Sequence, residues 1–104
     1  MLLATTDTIC GKKIVKHLGL VRGNTIRARH IGRDIMAKMK NVVGGEIGDY
    51  TKLMGESREQ AIDRMVEDAQ ELGANAIIGV RFSTSEVMDS AAEILVYGTA
   101  VVVE

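Results

Sequence analysis

The sequence predicts a single α+β domain in which one long helix packs across an antiparallel-rich sheet. Three observations predict it. Ile47, Tyr50, Met54, Ala61, Ile62, Met65, Val66, Ala69 and Leu72 recur mostly at steps of three and four, so they line one stripe of a helix. Only Gly73-Ala74-Asn75 separates that helix from the strand-like run Ala76-Ile77-Ile78-Gly79-Val80-Arg81-Phe82, so the strand must fold back on its own helix. The last ten apolar-rich residues before the end are apolar on both strand faces.

Taken in order, Leu2 to Thr5 reads as a short first strand and 7–12 as a turn. Residues 13–23 are β-branched and apolar, with a bulge or bend expected at Gly19 and Gly23. Gly23-Asn24 is a candidate turn, after which 25–28 continues or returns as strand. Ile31, Ile35, Met36, Met39, Val42 and Val43 have helical spacing and predict a short helix over about 31–41, broken by Gly44-Gly45.

The long helix has two possible starts. Asp49 can cap it, or Ser57-Arg58-Glu59-Gln60 can restart it as a capping box after Gly55. The early start is favoured because the stripe already includes Ile47, Tyr50 and Met54. Its other face carries Arg58, Glu59, Asp63, Arg64, Glu67, Asp68 and Glu71 and is expected in water, with an Arg64–Asp68 pair four apart. Gly73 is placed to cap the C-terminus. Strands follow over 75–85 and 93–103, joined by the polar segment 86–92.

In the final strand Ile94, Val96, Ala100 and Val102 share one face, and Leu95, Tyr97, Val101 and Val103 share the other. A chain of 104 residues has little helix to cover both sides of its sheet. The simplest cover for the second side is another copy, which predicts a homo-oligomer with closed symmetry.

Composition narrows the class. The net charge of −1 and the lack of a dense Lys/Arg run give no basis for nucleic-acid binding. One cysteine rules out an intrachain disulfide and fits a reducing cytoplasm. No signal-peptide pattern opens the sequence, and no apolar run is long enough to span a bilayer.

Several stretches resemble the YbjQ-like family. They are Ala4-Thr5-Thr6, Gly11-Lys12-Lys13-Ile14-Val15, Leu18-Gly19-Leu20-Val21-Arg22-Gly23 and Gly32-Arg33-Asp34-Ile35. They continue with Val43-Gly44-Gly45-Glu46-Ile47-Gly48-Asp49-Tyr50, Leu72-Gly73-Ala74-Asn75-Ala76-Ile77-Ile78-Gly79-Val80 and Tyr97-Gly98-Thr99-Ala100-Val101-Val102-Val103. The resemblance spans nearly the whole chain in order. It implies a strand–helix–strand–strand fold like the dodecin subunit, rings of five copies, and a heavy-metal-binding label attached to no established activity. Two departures stand out. His30 lies where the family often has Asn, and Arg81-Phe82-Ser83-Thr84-Ser85 replaces a more acidic, aromatic stretch, which weakens the cation-binding expectation.

Candidate sites are few. A soft divalent metal ion needs thiolate and imidazole ligands, and the candidates are Cys10, His17 and His30. Their spacing matches no zinc or copper motif, so they would act only if a ring pooled copies. Met36, Met39, Met54 and Met65 fall on apolar stripes and read as core. Gly44 and Gly45 before a helix, with Arg33 nearby, are candidates for an anion site, although no phosphate-binding pattern surrounds them. No catalytic constellation is present. The reading is a non-enzymatic, ring-forming binding module for a metal or small ligand. The alternatives are a partner-binding scaffold without a small ligand, or an enzyme with sites at subunit boundaries.

Overall fold

Strand β1 (Leu2–Leu3) and strand β2 (Ile14–Arg27) precede the helix α1 (Gly48–Glu71), and strands β3 (Ala76–Met88) and β4 (Ala91–Val103) follow it. The structure, a computed structural model, describes residues 1–27, 48–88 and 91–104. The short helix expected over 31–41 lies outside the described residues. The sheet order is β1-β3-β4-β2, with β1 parallel to β3 and the other pairs antiparallel.

The helix takes the early start and runs unbroken through Gly55. Ser57 does not restart it. Its hydroxyl donates to the Leu53 carbonyl one turn back, and the residue is buried against β2, where Thr25 Oγ1 donates to the Ser57 carbonyl at 3.3 Å. Gly73, at φ 86, closes the helix in the left-handed conformation expected of a C-cap. The Ala61, Met65 and Ala69 side chains are fully buried against Val21, Ile77, Val96 and Ala100. Leu72 falls beyond the helix and is 46% exposed, so the stripe ends one turn earlier than expected.

Gly23 does not turn the chain. Strand β2 runs straight through it, paired with Val96. A Cβ there would overlap the Ala61 carbonyl oxygen and the Met65 amide of α1, so glycine lets helix and strand backbones touch. The bulge expected at Gly19 is present, with φ 111 and a register shift between His17 and Gly19. Strands β3 and β4 reach Met88 and Ala91, so the polar joining segment is shorter than expected.

The Arg64–Asp68 pair also differs from expectation. Asp68 Oδ2 accepts the Arg22 N–H at 3.3 Å, and Arg64 Nη1 donates to the Asn24 carbonyl. Both residues satisfy outward-facing backbone groups of the edge strand β2. Asn75 does comparable work at the other end of the sheet. Its side chain accepts the Val103 N–H at 2.8 Å and donates to the Val103 carbonyl at 2.9 Å, extending the sheet with an amide in place of a peptide.

The second face is covered at one end by the chain itself. Ala76, Ile78, Val101 and Val103 form a second buried cluster, with Ile9 and Ile14 packed on it. The extension after β1 stays pinned to β3 by Val80 N–H to the Ala4 carbonyl and Gly79 N–H to the Thr6 carbonyl. Cover from a second copy is therefore unnecessary at that end.

Candidate functional site

The rest of the second face has no such cover. Cross-strand partners share a face, so the register assigns it row by row. Leu20 pairs with Thr99; Arg22 with Tyr97 and, across β4, Arg81; Asn24 with Leu95 and Ser83; Ile26 with Glu93 and Ser85. Leu20 is 66% exposed, Ile26 56% and Tyr97 38%, while Leu95 and Glu93 are half-buried. Arg22 and Arg81 flank Tyr97. Arg81 is held by the Thr5 and Val80 carbonyls at 2.7 and 2.8 Å. Glu93 Oε2 accepts from Asn24 Nδ2 at 3.0 Å. The patch is thus mixed: Leu20, Tyr97 and Ile26 stand exposed among the polar groups Arg22, Arg81, Asn24 and Ser83, with the Glu93 carboxylate at one end.

On the helix side, Phe82 shares the face of Val96 but lies beyond α1, which sits mainly over β2, and it is 48% exposed. The outer face of α1 carries an open, charged depression lined by Lys52, Glu56, Glu59 and Asp63.

The metal-ligand candidates are not gathered. Cys10 is exposed in the turn closed by Lys12 N–H to the Ile9 carbonyl. His17 is exposed on β2 opposite Val101. Among the described residues no three His, Cys, Asp or Glu side chains are placed to hold a metal ion. The described residues of one copy therefore do not by themselves make the donor set that a soft metal needs. His30, Arg33, Gly44 and Gly45 lie outside the described residues.

Sequence reasoning missed Arg22 and Arg81. They meet at Tyr97 only through strand register. The signal was the alternation Leu20, Arg22, Asn24, Ile26, which is interrupted if Gly23 is read as a turn.

A family model described as "Putative heavy-metal-binding" matches residues 1–104. A "UPF0145 protein" of Dehalococcoides mccartyi is 59% identical over 104 residues, with all of both chains covered. One of Methanosarcina acetivorans is 60% identical over 101 residues, covering 97% of this chain and 95% of that one. Neither name describes an enzyme. Among solved structures, a Pediococcus pentosaceus protein of unknown function, from the DUF74 family, superposes with a TM-score of 0.65 at 18% identity. The match covers 100% of this chain and 98% of that one, and it shows a shared fold. Among the described residues no helix is long and apolar enough to cross a membrane.

Proposed function

The chain belongs to the YbjQ-like family, and on that premise we propose that it is the subunit of a non-enzymatic homo-oligomeric binding module. The observation that carries this reading is the half-uncovered second face, where Leu20, Ile26 and Tyr97 expose apolar surface between charged neighbours. Exposed apolar side chains set among charged neighbours on one sheet face support a contact surface there. The partner is a second copy of the chain; the family resemblance supports a ring of five, and the single cysteine fits a reducing cytoplasm.

The ligand is a soft divalent metal or a small molecule, held by groups from several copies. Pooling answers the shortage of donors, because Cys10, His17 and His30 of one chain are three residues where a four-coordinate site needs four ligands. Symmetry multiplies each donor by the number of copies around an axis.

Native mass spectrometry of the untagged protein, prepared without chelator, tests both parts. An oligomer carrying a fixed extra mass, lost in the Cys10→Ser, His17→Ala double variant, supports the binding module. An oligomer that takes up no mass when zinc or copper is offered would leave a scaffold as the function. A monomer would sink the reading.

A further inference from the structure

Arg64 and Asp68 reach from the helix to the outer edge of β2, and they cover the place where a further strand would add. We propose that this pair is a guard against sheet extension: it keeps the bare edge of β3 in a second copy from pairing with β2. The inference goes beyond the binding-module reading and holds for any number of copies in the native assembly.

The guard matches the edge in spacing and in chemistry. Residues four apart on a helix are separated by about 6 Å along its axis, and residues two apart on a strand by about 6.6 Å. Arg64 and Asp68 therefore line up with Asn24 and Arg22, whose outward main-chain groups lie on one edge. The guanidinium donates to the Asn24 carbonyl, and the carboxylate accepts the Arg22 N–H. Each side chain supplies the partner that its group would otherwise take from a neighbouring strand. Gly23, between the two, makes the reach possible, because α1 backbone at Ala61 and Met65 occupies the space of a Cβ.

Strand β3 has no such cover along its second half. Strand β1 and the residues after it pair with β3 only as far as Val80, whose N–H donates outward to the Ala4 carbonyl. Arg81 Nη1 closes that stretch on the Thr5 and Val80 carbonyls. Outward groups recur at every second residue, so those of Phe82, Thr84 and Glu86 come next. Among the described residues none of these groups has a partner. The run Phe82-Ser83-Thr84-Ser85-Glu86 contains neither proline nor lysine, two residues that commonly keep an edge from pairing. Strands β2 and β3 both run antiparallel to β4, so they are parallel to each other. Copies set side by side would thus continue the sheet from β3 to β2 as a parallel pair. Such a contact is head-to-tail, and it repeats along a filament unless its rotation closes. One chain carries both halves of this pairing, which is why the occupant that the guard excludes is a second copy.

Removing both side chains tests this. Sedimentation velocity of the Arg64→Ala, Asp68→Ala double variant is expected to show about twice the wild-type mass or more, rising with concentration. Thr84→Pro removes an outward N–H that no described strand uses. It is expected to return the double variant to the wild-type mass and to leave the wild type unchanged. A double variant at the wild-type mass overturns the proposal. A larger species that survives Thr84→Pro also overturns it, because unfolding rather than edge pairing would then have produced it. A wild-type assembly broken by Thr84→Pro overturns it too, since the β3 edge would already be in use. Amide-resolved hydrogen exchange gives a reading that does not depend on the proline. The Phe82 and Thr84 amides are expected to exchange about tenfold more slowly in the double variant than in the wild type, and equal rates would overturn the pairing.

Discussion

Gly23 and Gly55 are both glycines within regular elements, and their neighbours give them opposite roles. A Cβ at Gly23 would meet α1 backbone, which cannot yield without lifting the helix off β2. At Gly55 it would meet only the end of Arg58, at 3.9 Å, in the middle of a helix. Gly23→Ala is expected to destabilise by about 3 kcal/mol or more, at the upper end of overpacking costs. Gly55→Ala is expected to stabilise by about 0.5–1 kcal/mol, the helix-propensity gain. Urea unfolding of the two variants reads both signs, and a mild effect at Gly23 would mean the helix does not sit as close as described. Asn75 gives a third residue-scale expectation. Asn75→Ala removes both hydrogen bonds to Val103 and should cost about 1–3 kcal/mol. Only Gly55 was legible from sequence, because its environment is its own helix. The roles of Gly23 and Asn75 depend on partners far along the chain.

At the scale of elements, the helix and the last two strands were legible because their signals are local: a stripe at helical spacing, a glycine cap and apolar runs. The division of labour on the sheet was less so. Residues 7–12 looked like a turn, yet Ile9 in that segment, with Ile14 at the start of β2, covers one end of the second face, because alternation alone assigns neither residue to a partner. Arg64 and Asp68 looked like a solvated pair, yet they cap the outer edge of β2. An uncapped edge of that length invites pairing with another chain. Strands here run to 13 and 14 residues, against a usual five or six, so their edges are long. Asp68→Ala is therefore expected to do two things. It should lower stability by about 1 kcal/mol, the usual worth of one hydrogen bond with a charged acceptor partly exposed. It should also speed hydrogen exchange at the Arg22 amide selectively, which amide-resolved exchange would detect. Unchanged exchange at Arg22 would mean the Asp68 contact does not persist in solution. The candidate site was the least legible part, since Arg22, Tyr97 and Arg81 come from three strands and meet only once the register is set.

The whole molecule is larger on the outside than its mass warrants. A compact chain of 11.2 kDa exposes about 5,700 Å². This one exposes 6979 Å². Its radius of gyration is 16.9 Å, where about 13 Å is usual for a domain of this length. Among the described residues, α1 lies mainly over β2 and leaves Phe82 on one face and the Tyr97 row on the other exposed. A chain in this condition gains stability from burying surface against a copy, and that gain follows mass action. Thermal unfolding should therefore depend on protein concentration. Over a hundredfold dilution that spans the dissociation constant, the loss approaches RT ln 100, about 2.7 kcal/mol per bound site. For a domain of this size that corresponds to a fall of roughly 10 °C or more in Tm. Differential scanning fluorimetry across that range, with native mass spectrometry at each end, measures the shift and the species responsible for it. A Tm independent of concentration while the protein is monomeric at both ends would show that the chain stabilises its long sheet alone, and the second face would then need another explanation.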